Sequence, residues 1–136
     1  MAAKYIWIFG SCIFIFLGFI HLMYTFFTNK FSSKNEKAIK EMKIAKPILT
    51  NETTIWKAWI GFNASHSLGA IFIGAINIYM AYYFFETVQQ HIFFFSFNIT
   101  TVAFYLWLAK RYWFKVPFFG ILLTLVCYIT VLIMCI

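Results

Sequence analysis

Four long apolar runs, at residues 5–27, 59–85, 92–109 and 116–136, constrain this chain more than any motif within it. A helix needs about 20 mostly apolar residues to cross the hydrocarbon core of a bilayer. All four runs qualify, the third only marginally. It is the shortest, and Asn98, Thr100 and Thr101 weaken it further. Composition agrees with the pattern. Of the 136 residues, 63% are hydrophobic and only 11% charged, where a soluble domain carries about a quarter charged. A chain this short has too much surface to hide so many apolar groups from water. Disulfide scaffolds, disordered tails and ordinary cytosolic enzymes are excluded, and the expected fold is all-α, a four-helix transmembrane bundle formed by one membrane domain, residues 1–136.

The net charge of +7 raises the question of a nucleic-acid partner. Its distribution answers it. All of the eleven Lys and Arg residues except Lys4 fall in two stretches, 30–57 and 110–115, beside the apolar runs. Basic blocks flanking apolar spans set topology, the positive side facing the cytoplasm. Loops one and three are therefore expected in the cytoplasm, with both termini outside and no nucleic acid bound. The first run lacks a small-residue cleavage site and is too long for a signal peptide, so it is expected to stay as an anchor. Cys12, Cys127 and Cys135 all lie inside apolar runs with no close Cys neighbour, which leaves neither a redox pair nor a zinc motif.

Loop one, residues 28–58, is the sizeable polar segment. Ser33 and Glu36 have capping-box spacing, and Pro47 supplies a stop. Between them Ala38, Ile39, Met42 and Ala45 share one helical face, so an amphipathic helix over 33–46 is expected, against either lipid or solvent. Thr50 or Asn51 is placed to cap the second span, with Glu52 in its first turn. Three glycosylation sequons, at Asn51, Asn63 and Asn98, would face the cytoplasm or lie in lipid and are read as chance.

Function in such a chain is written where polar groups tolerate hydrocarbon. At about 100° per residue, Trp59, Asn63, His66, Ala70 and Asn77 share one stripe, bordered by Ser67 and Gly74. Trp7, Ser11, Phe14, Gly18, His21 and Thr25 align on the first span. Asn98, Thr101, Tyr105 and Tyr112 align on the third. His21 lies six residues before the end of its run, and His66 about six residues inside the next. Six residues rise about 9 Å, so the two histidines are expected at one depth, with Asn63 a turn away and Arg111 closing the same end.

Four readings of this cluster stay open. The plainest is polar glue between helices, at about 0.6 kcal/mol per bond. A second is a pocket near the cytoplasmic leaflet for a small lipophilic ligand. There His21, Asn63 and His66 would make polar contacts, Trp59 a wall, and Arg111 would meet an anionic headgroup. A third makes His21 and His66 the axial ligands of a b-type haem in an electron carrier. The fourth is a proton relay, which the absence of any Asp and the placing of Glu86 in a loop disfavour. Catalysis is poorly supported: no carboxylate is placed to orient either histidine, and His91 belongs to the opposite membrane face. A pocket protein of this kind, or an accessory subunit of a membrane complex or homo-oligomer, would have the lipid bilayer as its first partner.

Gly18-Phe19-Ile20-His21-Leu22, the run from Trp56 to Gly69 (WKAWIGFNASHSLG) and Lys110-Arg111-Tyr112-Trp113-Phe114 together resemble one bacterial family. It consists of small four-helix integral membrane proteins of unassigned function. The resemblance implies a multi-pass protein of the bacterial inner membrane and supplies no catalytic or ligand role. A looser likeness to the DoxX-like group rests on size and topology alone.

Overall fold

The computed structural model describes residues 1–136. It is all-α, with α1 (Ala2–Phe27), α2 (Glu36–Ile44), α3 (Ile55–Val88), α4 (Ile92–Tyr112) and α5 (Lys115–Cys135). The four helices other than α2 are long and apolar enough to cross a membrane. The 21 residues of α4 and of α5 rise about 31 Å, close to the thickness of a hydrocarbon core. The third span thus gains its missing length from Lys110, Arg111 and Tyr112. Two of these are cations in the last turn, where the free carbonyls of the helix end favour positive charge. The 34 residues of α3 rise about 51 Å, more than a bilayer core requires. Near its end Phe84 leaves helical geometry at φ −130°, ψ 21°.

Local chemistry moves two boundaries from where the spacing of polar residues puts them. Asn35, not Ser33, caps α2: its side-chain oxygen accepts from the backbone N–H groups of Lys37 and Ala38. Ser33 Oγ instead accepts from the Asn35 N–H at 3.0 Å. Asn and Ser cap about equally well, so the residue adjoining the first turn takes the role. The helix stops at Ile44, and Ala45 is already extended, two residues ahead of Pro47. At α3 the cap is Thr54, whose Oγ1 accepts from Lys57 N. Thr50 spends its hydroxyl on Glu52 N in the preceding loop, and Glu52 lies outside the first turn.

The contacts divide the chain into two units, residues 1–17 with 70–136, and residues 18–69. The larger unit gathers one core from four helices, around Trp7 and Phe14 of α1, Ala81 of α3, Phe95 and Val102 of α4, and Tyr128 and Val131 of α5. Its centre is polar. Trp7 Nε1 donates to Asn77 Oδ1 at 3.0 Å, and Asn77 Nδ2 donates to Asn98 Oδ1 at 2.6 Å. Each amide also donates to the carbonyl four residues back in its own helix, at Ile73 and Phe94. The Trp7 ring stacks on Tyr128 with centroids 3.8 Å apart, and the Tyr128 hydroxyl pairs with Ser11 Oγ at 2.7 Å. Thr124 Oγ1 donates to the Gly10 carbonyl. Every buried side-chain polar atom has a partner. Asn98 therefore does not weaken the third span as its residue type suggests, because a paired amide carries little of the penalty of a bare one.

The polar stripes of α1 and α3 turn inward at Trp7, Ser11, Ser67 and Asn77. The stripe on α4 holds only in part, since Asn98 is buried and Tyr112 is 66% exposed. Tyr112 sits in the last turn, beside Lys110 and Arg111, where a phenol can reach polar surroundings. Outward positions are large and apolar, among them Phe16, Phe72, Phe97, Phe104 and Ile133. Two helices approach closely at Gly74. A methyl group there would fall 2.8 Å from the Ser11 carbonyl oxygen and 2.5 Å from an Ile15 side-chain carbon.

These contacts give three expectations, all checked by unfolding in mixed detergent micelles. Asn77→Leu strands the Trp7 N–H and one Asn98 acceptor and should lower stability by about 1–3 kcal/mol. Gly74→Ala should destabilise by about 1–3 kcal/mol through overpacking. Gly61→Ala, where nothing lies within 4 Å of the added methyl, should instead be neutral or stabilising by up to about 1 kcal/mol.

Candidate functional site

The 18–69 unit brings His21, Trp59, Asn63 and His66 together. Helical spacing does the first part of the work. Asn63 lies one turn beyond Trp59 on α3, and its Nδ2 donates to the Trp59 carbonyl at 2.8 Å. That bond turns Oδ1 away from its own helix and onto His21 Nε2, 2.9 Å away. Because the amide oxygen can only accept, Nε2 carries the proton, and in the neutral ring Nδ1 is left as an acceptor. Ser67 Oγ donates to the Asn63 carbonyl at 2.7 Å and Thr25 Oγ1 to the His21 carbonyl at 2.8 Å. Both hydroxyls are thereby held close to the pair. The His21 and His66 rings meet edge to face with centroids 5.6 Å apart, the shared depth expected of them.

Aromatic residues surround this polar pair. After α1 the chain reverses through a turn closed by Ser32 N donating to the Asn29 carbonyl. The reversal lays Phe31 back on His21 at 4.4 Å and toward Trp59 at 6.5 Å. Trp59 stacks with Trp56 at 5.6 Å, and His66 with Phe62 at 6.5 Å. Lysines hold the rim: Lys30 Nζ donates to the Tyr24 hydroxyl at 3.0 Å, and Lys43 Nζ lies 5.5 Å from the Trp56 ring. A cavity of about 170 Å³ opens here, walled by Tyr24, Phe31, Trp56 and Trp59, with Thr25 and Ser32 among its polar lining.

Of the residues expected at the site, Trp59 lines the cavity, His21, Asn63 and His66 are not among its lining residues, and Arg111 is not in this unit. It belongs to the larger unit, exposed in the last turn of α4. Phe31 was hidden from sequence reasoning because nothing in a basic loop fixes the direction of a chain reversal. The one signal was a lone aromatic residue among polar and charged neighbours. In the larger unit, Thr124 and Tyr128 were missed in the same way. They stand four residues apart in the most apolar run, a spacing that puts two hydroxyls on one face.

The arrangement suits hydrogen bonding to a small polar head between aromatic walls. A haem held by His21 and His66 would have to displace two contacts of His21. Its Nε2 is hydrogen-bonded to Asn63 Oδ1, and Phe31 packs on the same ring. No group of three or more His, Cys, Asp or Glu side chains is assembled that could hold a metal ion. No family model, curated protein or solved structure matches the chain.

The pairing of His21 with Asn63 is testable by a double-mutant cycle. His21→Ala, Asn63→Ala and the double variant should give a coupling of roughly 0.6–1.7 kcal/mol in micelle unfolding. Additive losses would show that the two residues do not act as a pair.

Proposed function

We propose that this is a four-helix, multi-pass membrane protein whose 18–69 unit binds a small lipophilic molecule with a hydrogen-bonding head. Loops one and three lie in the cytoplasm and both termini outside, a placement supported by ten of the eleven basic residues falling in 30–57 and 110–115. The segments around His21, His66 and Arg111 support placing it with the bacterial inner-membrane family they resemble.

The observation that carries the binding role is the aromatic-walled cavity beside the His21–Asn63 pair. Pockets for whole drug-sized ligands enclose about 300–1,000 Å³. A cavity of about 170 Å³ takes a head only, and the exposed Phe26 and Phe27 beside it offer an apolar track for a tail. Binding fits better than catalysis because the chain contains no Asp, and its four Glu residues fall at or beyond the ends of the apolar runs. Histidines remote from carboxylates lack the partner that orients a general base.

The test is to purify the protein with its surrounding lipid in polymer-bounded discs and to identify what travels with it by mass spectrometry. One lipophilic species should be enriched over the bulk membrane. It should fall about tenfold, equal to ~1.4 kcal/mol, in Trp59→Phe at an unchanged unfolding midpoint, and at least as far in His21→Ala, which also loses the bond to Asn63. Stoichiometric co-purification of another subunit without such a species would replace ligand binding with an accessory role. A Soret band that shifts on reduction and disappears in His66→Ala would overturn the assignment in favour of haem.

A further inference from the structure

A second cavity, of about 370 Å³, lies where α4 turns into α5 and involves none of the residues around His21. It is lined by Lys110, Trp113, Phe114, Lys115, Phe118 and Phe119. α4 ends at Tyr112 and α5 begins at Lys115, so the two lysines flank a link of two aromatic residues. Phe118 packs edge-on against Phe119 with centroids 5.4 Å apart. From residue 87 to 136 the chain has no Asp or Glu at all. The two ammonium groups, with Arg111 beside them, thus have no carboxylate side chain in their own part of the sequence to balance them. The aromatic lining is partly open to the surroundings, for Phe114 and Phe119 are 56% and 61% exposed.

We infer that this cavity is a binding site for the phosphate headgroup of an anionic phospholipid. The missing counter-charge calls for an anion, and the exposed rings of the lining call for an apolar body attached to it. A free phosphate ion satisfies the first demand and not the second. The volume is in the range of small-molecule sites, and basic pockets between helices on the cytoplasmic side take anionic headgroups. Lys110 and Lys115 supply the charge, while Trp113 and Phe114 set the depth of the glycerol region, as amphipathic rings do at a membrane surface. The anionic headgroup earlier expected at Arg111 is taken by the lysines on either side of it. This inference rests on the chain spanning a membrane, and is independent of the cavity beside His21.

The experiment reconstitutes the full chain into phosphatidylcholine vesicles with phosphatidylglycerol as the minor lipid. Retained lipid is then counted by native mass spectrometry after gentle detergent release. Phosphatidylglycerol should be retained over phosphatidylcholine. Lys110→Gln with Lys115→Gln should reduce that adduct roughly thirtyfold, the loss expected for two lysines at an anionic surface. Lys110→Arg with Lys115→Arg should keep it, and so should Lys34→Gln with Lys46→Gln, which removes equal charge from the first loop. Equal loss from the two Gln pairs would mean diffuse attraction and overturn the site. Displacement of the adduct by millimolar inorganic phosphate would overturn the lipid assignment in favour of a free anion. Failure of the wild-type chain to enter vesicles would overturn the membrane reading itself. A lost preference for phosphatidylglycerol in correctly inserted protein would overturn this site alone.

Discussion

Hydrocarbon offers no hydrogen bonds, so each polar group carried on an apolar helix must be paired inside the protein or cost several kcal/mol. The core of the larger unit follows from that constraint. Asn77 sits between Trp7 and Asn98, and its amide uses both ends across helices while also returning a bond to its own backbone. Ser11 and Tyr128 form a second link from α1 to α5. Apolar contact alone discriminates poorly between helix faces when the solvent is itself apolar. These few bonds, together with the close approach at Gly74, select which faces meet. The large side chains then have only the outside left to them, where Phe16, Phe72 and Phe104 lie.

The same constraint explains what could be read from residues alone. Run length and charge distribution are properties of the chain, and the number and approximate bounds of the long helices followed from them. Polar residues at helical spacing were also legible. His21 and His66 meet because six or seven residues of helix separate each from the end of its run. What stayed hidden depends on contacts made by other parts of the chain. The choice of Asn35 over Ser33 as a cap turns on one residue of register. The return of Phe31 onto His21 turns on a turn whose geometry no periodicity encodes. Tyr112 continues the α4 stripe by angle, yet stands exposed because the stripe has reached the end of the helix.

The two cavities share a physical logic. Each lies at the end of long helices rather than in the middle of them, and each combines aromatic walls with lysines. Rings of this kind settle at the boundary between hydrocarbon and headgroups, where one edge can be dry and the other wet. Lysine stems reach from apolar surface to charge in the same zone. The cavity beside His21 adds hydrogen-bonding groups oriented by helix carbonyls, and the one at the α4–α5 link adds uncompensated positive charge. The first is the one proposed for a polar head, and the second the one proposed for an anion.

Everything proposed for these sites depends on the chain crossing the bilayer between the first loop and the short link after α3. Single cysteines introduced by Ser33→Cys and Gln90→Cys, exposed to a membrane-impermeant charged maleimide, test this directly. The native Cys12 and Cys127 lie within the long apolar helices, and Cys135, the last residue of α5, is replaced by Ser in the background used. In intact spheroplasts the cysteine at position 90 should label at once, and the one at position 33 only after the membrane is opened. Labelling of both from the same side would contradict the crossing. Labelling of position 33 alone from outside would reverse the orientation and remove the cytoplasmic placement of both cavities.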